Sequence, residues 1–127
     1  MKHARSPASI HPPLAGYSHQ IEVDGGRWLV LSGQVGMSVD RAVPEAASDQ
    51  FALALDNVIA NLDAAGMTAH DLVKLTFYLT EEIAPERRGA ILAERLGADA
   101  PCMTLLYVAG LASPALKVEV DAWAVVT

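Results

Sequence analysis

The sequence predicts an α+β fold in which one mixed β-sheet carries two helices on a single face. Three observations support this: runs of alternating apolar residues, two runs with helical spacing, and turn residues between them. The predicted element order is ββ-α-β-α-ββ. A strand–helix–strand passage makes parallel neighbours by a right-handed crossover, and hairpins make antiparallel ones. The expected architecture is therefore a two-layer sandwich of helices on a mixed sheet.

The first two strands are predicted to form a hairpin. Ile21 and Val23 alternate with polar residues, and Asp24-Gly25-Gly26 supplies turn chemistry. Residues 28–35 follow as a more continuous apolar run, which suits a strand covered on both faces.

Two helices and three further strands complete the prediction. Pro44-Glu45 favours the start of the first helix, whose apolar residues step by three and four before Gly66 ends it as a left-handed cap. Residues 73–79 alternate as a strand, and the second helix runs from Pro85 to Gly97. Residues 102–109 and 116–125 predict the last two strands. Because these strands are too apolar for water, we expect the open sheet face to be covered in a symmetric oligomer.

Length and composition limit the domain organisation and the partners. The 127 residues suit one domain, with residues 1–16 as an irregular, proline-containing N-terminal arm and residues 17–127 as the domain. A net charge of -6 and scattered basic residues disfavour nucleic acid and anionic membranes. The start lacks the apolar core of a secretory signal, and no uncharged stretch reaches the ~20 residues of a spanning helix. We expect a cytoplasmic protein with no membrane partner.

Few side chains suggest chemistry by themselves. Glu119 and Asp121 lie two apart on one strand and so share a face, where one carboxylate is a candidate general acid or base; the alternative is a solvated edge. Cys102, the single cysteine, begins an apolar strand with no histidine nearby, so an inert thiol is favoured over a nucleophile. The four histidines have no metal-ligand spacing. We expect no metal and no other cofactor.

Motifs along nearly the whole chain, from Tyr17 to Val126, resemble those of the RidA/YjgF family. The residues that carry the resemblance are Tyr17, Ser32-Gly33-Gln34, several positions between Gln50 and Gly66, Asp71-Leu72-Val73-Lys74, Pro101, and Lys117-Val118-Glu119-Val120-Asp121-Ala122. The resemblance implies a chorismate-mutase-like α+β subunit and homotrimers with ligand clefts between subunits. In the deaminating branch, enamines and imines derived from amino acids are hydrolysed without a cofactor.

The resemblance also implies roles for individual residues. Tyr17 matches a cleft tyrosine and Glu119 matches a glutamate that positions water, so both are candidate catalytic residues. Ser32 and Gly33 match a strand that lines the cleft and binds substrate.

This sequence departs from the family's carboxylate-binding motif, Pro-x-Arg-Ser. It reads Pro101-Cys102-Met103-Thr104, so Met103 stands where the arginine should be. Cys102, Met103 and Thr104 are still predicted to line the substrate site. Methionine has no donor and no charge, whereas arginine holds a carboxylate through two charge-assisted hydrogen bonds. Standard 2-imino acid deamination is therefore in question, unless Arg5, Arg27, Arg87 or Arg88 reaches the cleft.

Two functions follow from these residues. The first is hydrolysis of a small imine- or enamine-type metabolite in an intersubunit cleft, with Glu119 positioning water and Tyr17 contacting the ligand. The second is a non-catalytic protein that binds a small molecule for sensing or protection. Ribonuclease activity, attributed to some family members, is disfavoured by the net charge of -6.

Overall fold

The computed structural model describes all 127 residues and has the predicted α+β architecture. Its elements are β1 (Lys2–Arg5), β2 (Gln20–Val23), β3 (Arg27–Val35), α1 (Ala47–Ala64), a short 3-10 turn (Ala69–Asp71), β4 (Leu72–Leu79), α2 (Pro85–Leu96), β5 (Cys102–Tyr107) and β6 (Val118–Val126). The main sheet has the order β3-β6-β4-β5. β6 is antiparallel to both β3 and β4, and β5 is parallel to β4. The sheet is mixed, as predicted.

The core lies between the helices and one face of this sheet. Phe51 of α1 stacks on Phe77 of β4, with ring centroids 5.1 Å apart and an interplanar angle of 16°. Val118 and Val120 of β6 are fully buried beside them. Burying side chains of this size is the main favourable contribution to folding, about 1.5–3 kcal/mol each. α1 packs on β3 and β6, and Ile91 and Leu96 of α2 belong to the same buried cluster as Phe77 of β4, which confirms the predicted layer arrangement.

The predicted hairpin between the first two strands is wrong. β2 pairs instead with β1, from Lys2↔Val23 to Arg5↔Gln20, and forms a separate two-stranded sheet. β3 pairs with β6 at seven positions. This pairing is longer than any that β3 could form with the four-residue β2. Gly26 has a φ of +108°, and a Cβ on it would lie 2.7 Å from the Val126 carbonyl oxygen. The turn therefore leads the chain past the end of β6 into a different sheet.

Two further expectations are corrected in detail. The arm is not irregular throughout, because residues 2–5 form β1. The first helix begins at Ala47, three residues after Pro44, because Ala46 still has an extended backbone and is the N-cap. The Pro44 carbonyl accepts a hydrogen bond from the buried Gln50 side chain at 2.8 Å. Gly66 does adopt the left-handed conformation, with φ at +71°, as predicted for the end of this helix.

The other face of the sheet carries no helix. On β6, Glu119, Asp121 and Trp123 alternate with the buried Val118 and Val120. Trp123 and Trp28 pack edge to face with ring centroids 6.2 Å apart, yet they remain 46% and 48% exposed. This helix-free surface is called the open face below.

Candidate functional site

A β-bulge in β3 brings one carboxylate of the open face close to the backbone. Leu31 pairs with Ala122 and Gln34 with Val120, so Ser32 and Gly33 together oppose the single residue Asp121. Two residues against one define a bulge, a feature over-represented next to active sites because it redirects side chains.

Glu119 lies over this bulge. A Cβ built on Gly33 would fall 2.5 Å from the Glu119 Cδ, so a glycine is what permits the approach. The Glu119 side chain is partly buried, and its carboxylate has no hydrogen-bond or ion-pair partner. Both oxygens are therefore free to accept hydrogen bonds from water or a ligand.

The neighbouring carboxylate on the same strand is already engaged. Tyr78 donates its hydroxyl to Asp121 Oδ2 at 2.9 Å. This hydrogen bond, with burial and the nearby charges of Asp121 and Glu119, raises the pKa of the Tyr78 phenol. Of the two carboxylates that the strand pattern placed on one face, Glu119 is the one available for chemistry.

A second group of site residues lines a cavity of about 300 Å³ on the opposite, helix-bearing side of the sheet. The cavity lies between α2, β5 and the N-terminal arm, and it contains Tyr17 and Met103. Its other lining residues are Ala15, Gly16, Phe51, Phe77, Pro85, Arg88, Gly89, Leu92, Ala93, Leu96, Gly97, Asp99 and Leu105. The lining is thus largely apolar, with one arginine, one aspartate and one tyrosine as its polar members. Tyr17 Oη accepts a hydrogen bond from the Leu14 N–H at 3.0 Å.

The register of the sheet shows that these two groups are separated. Glu119 pairs with Tyr78, whereas Met103 pairs with Leu75, and Tyr78 and Leu75 point to opposite faces of β4. A single protomer therefore brings Tyr17 and Met103 together, and Glu119 and Gly33 together, but not the two pairs.

The remaining predicted site residues lie on the open-face side of β5. Cys102 and Thr104 pair with Lys74 and Thr76, and Lys74 donates to Thr104 Oγ1 at 2.7 Å. Burial raises the pKa of the Cys102 thiol, which disfavours its reactive thiolate form. Neither residue lines the cavity.

The arginines named as alternative anchors differ in their surroundings. Arg5 pairs with Glu22 at 2.7 Å, and Arg27 donates to the Ala65 carbonyl at 3.1 Å. Arg88 lines the cavity with Met103, whereas Arg87 is exposed. The sequence holds a signal for this, since Arg88, Leu92 and Leu96 lie four residues apart on one helix and therefore share a face.

No helix combines the length and the apolar character needed to cross a membrane. No group of three or more His, Cys, Asp or Glu side chains is arranged to hold a metal ion.

Comparison with known proteins identifies the family. The family model described as Endoribonuclease L-PSP matches residues 8–126, nearly the whole chain. The chain belongs to the RidA/YjgF family. A crystal structure of a conserved Rid family protein, YyfB from Yersinia pestis, has a TM-score of 0.88 at 27% identity and covers 98% of each chain.

Two relatives from Escherichia coli bear on function. The 2-iminobutanoate/2-iminopropanoate deaminase is 34% identical over 77 residues, a match that covers 60% of this chain and 56% of the deaminase. The crystal structure of TdcF with bound serine has a TM-score of 0.72 at 28% identity, covering 97% of this chain and 94% of TdcF. RidA-family relatives thus include an imine deaminase and a protein seen with a small ligand.

Proposed function

We propose that this RidA-family protein is a cytoplasmic homotrimer that hydrolyses a small imine- or enamine-type metabolite in clefts between its subunits. The observation that carries the proposal is the unpartnered Glu119 carboxylate held over the Gly33 bulge. The likeness to a 2-imino acid deaminase supports the reaction class. The reaction needs only water and a proton acceptor, so it calls for no metal or organic cofactor.

The separation of the site residues supports a shared cleft. Tyr17 and Met103 lie on one side of the sheet and Glu119 on the other, so a complete site requires the cavity of one subunit to meet the open face of its neighbour. The exposed side chains of Trp28, Val30 and Trp123 supply apolar surface for that contact. A cyclic arrangement repeats the same contact at each interface.

The proposed chemistry uses Glu119 as the base. The carboxylate accepts a proton from water as the water oxygen bonds to the imine carbon, and the resulting carboxylic acid returns that proton to the imine nitrogen. The hydroxyl proton of the carbinolamine then passes to its nitrogen as the C–N bond breaks, which releases ammonia and leaves the carbonyl. Tyr17 hydrogen-bonds or stacks on the ligand. A positioned general base contributes about 10²–10⁴-fold to such a step.

Substitution of this carboxylate tests the proposal. Glu119→Gln keeps the shape but removes the base, and Glu94→Gln, on the exposed surface of α2, is the matched control. Ammonia release is measured with 2-aminoacrylate generated in situ and with a panel of neutral imines. We expect Glu119→Gln to lower turnover about 100-fold or more and the control to leave it unchanged. Equal turnover by wild type and Glu119→Gln would remove Glu119 from the mechanism.

A second candidate function is binding without turnover, and the Met103 substitution favours it. Loss of one partner of a desolvated charge pair costs about 2–5 kcal/mol, or roughly 30-fold to several thousandfold in affinity. A ligand that stabilises the native protein without being consumed would support this alternative. Met103→Arg adds a direct comparison, because restored turnover of a 2-imino acid would locate the missing anchor.

A further inference from the structure

Arg88 has an unusual environment for a charged side chain. It lies on α2, is partly buried, and lines the cavity that contains Tyr17 and Met103. Its Nε is shielded from solvent and has no hydrogen-bond partner. Buried donors are nearly always paired, so an unpaired one indicates either a cost to folding or a function.

No carboxylate of the protein neutralises this guanidinium. Ion pairs engage Arg95 with Asp56 at 2.8 Å and Arg5 with Glu22 at 2.7 Å, but none includes Arg88. Asp99, the acidic residue of the cavity, contacts His70 at 3.1 Å and forms no ion pair with Arg88. The cavity therefore contains a guanidinium with no carboxylate of the chain within ion-pairing distance.

The remaining lining residues of the cavity indicate which kind of ligand would fit it. Phe77, Leu92, Met103 and Leu105 give it a largely apolar wall. The volume of about 300 Å³ is at the lower end of the range for small-molecule sites, roughly 300–1,000 Å³. Tyr17 adds a hydroxyl that already accepts the Leu14 N–H and keeps its own proton to donate.

We propose that Arg88 is the anion anchor of this protein and binds the carboxylate of a small monocarboxylic acid with a branched or aromatic apolar body. Arginine forks match carboxylates through two parallel hydrogen bonds, and partial burial strengthens the pairing. Met103, in the strand position of the family's arginine, then contacts the apolar body of the ligand. The inference deepens the proposed function, on which it rests for the reaction but not for binding.

The first test measures binding with two matched probes. The carboxylate probe is 4-methyl-2-oxopentanoate, and the neutral probe is 4-methylpentan-2-one, the ketone that lacks the carboxylate. Both are titrated calorimetrically into full-length wild type, Arg88→Gln and Arg87→Gln. Arg87 is the matched control because it is the next residue on the same helix, carries the same charge and is outside the cavity lining.

We expect Arg88→Gln to weaken binding of the carboxylate probe at least about tenfold, and Arg87→Gln to leave it within about twofold. The neutral ketone should bind all three proteins equally. Equal binding of the carboxylate to wild type and Arg88→Gln, or no binding to wild type, would overturn the inference. If Arg88→Gln fails to fold, Arg88→Lys is used instead. Lysine keeps the positive charge but lacks the two parallel N–H donors of the guanidinium, so this variant should bind the carboxylate probe with intermediate affinity.

The second test separates the anchor from the reaction. The imine of leucine is formed in situ by an L-amino-acid oxidase, and its hydrolysis is followed in the same three proteins. We expect Arg88→Gln to raise KM more than it lowers kcat, as removal of a binding contact does. If wild type binds the carboxylate through Arg88 but hydrolyses no imine, the proposed function fails and the anchor stands. If wild type hydrolyses the imine and Arg88→Gln matches it in KM, the anchor fails and the function stands.

Discussion

Gln50 is the one fully buried polar side chain of the core, and replacing it should destabilise the fold and the site together. Its Nε2 donates to the Pro44 carbonyl at 2.8 Å and to the Ala115 carbonyl at 3.0 Å. Its Oε1 accepts the Lys117 N–H at 2.8 Å. One amide thus joins the segment before α1 to the segment before β6, two residues from Glu119.

The expected loss in the free energy of unfolding follows from the backbone groups that Gln50→Leu leaves without a hydrogen-bond partner. Leucine keeps most of the volume but leaves the Lys117 N–H and two carbonyls without this partner. A buried unpaired group costs about 1–3 kcal/mol. Pro44 and Lys117 are partly buried, and Ala115 is exposed, so water can satisfy part of the loss. We therefore expect a loss of about 2–4 kcal/mol in the free energy of unfolding.

Urea unfolding at one fixed protein concentration measures this loss, since association makes apparent stability concentration-dependent. Gln20→Leu, at an exposed position of β2, is the matched control and should change stability by less than about 1 kcal/mol. Equal unfolding midpoints for Gln50→Leu and wild type, at unchanged m-value, would refute the reasoning.

Three further predictions concern the open face. Gly33→Ala should lower imine hydrolysis with little change in Tm, because its Cβ displaces the flexible Glu119 carboxylate rather than the backbone; an unchanged rate would contradict this. Titration followed by ultraviolet absorbance should give the Tyr78 phenol a pKa above its ordinary value, and Asp121→Asn should bring that pKa back toward the ordinary value. The stability that the Tyr78–Asp121 hydrogen bond contributes should be full below pH ~10 and should fall as pH rises through the raised pKa. No difference between the two titrations would count against the hydrogen bond. Trp123→Glu should reduce the oligomer mass measured by light scattering, and an unchanged mass would exclude the open face as the interface.

The helices were predictable because the residue pattern that specifies each helix lies within the helix itself and at its ends. Apolar spacing identified the buried stripe of α1, and a glycine marked its end. The partner of β2 was not predictable, because Asp24-Gly25-Gly26 permits a turn without specifying which strand follows it in space. Competition from β6 for the edge of β3 decides that pairing, and it depends on residues about 90 positions away.

The candidate site was predictable to a similar extent. Period-two alternation placed Glu119 and Asp121 on one face, and the register confirms it. Only the contact with Tyr78 shows that Asp121 is engaged and Glu119 is free. The location of Arg88 in the cavity depends on how α2 packs against β5, which helical spacing alone does not reveal.

The most direct test of a cleft built from two subunits is complementation between two impaired variants. Glu119→Gln damages the open-face half of each site, and Tyr17→Ala damages the cavity half. The two variants are mixed in equal amounts, unfolded, and allowed to reassemble at random into symmetric rings. About a quarter of the sites should then combine an intact cavity half from one subunit with an intact open-face half from its neighbour. We expect the mixture to recover about a quarter of wild-type hydrolysis. Activity no higher than the mean of the two separate variants would contradict it.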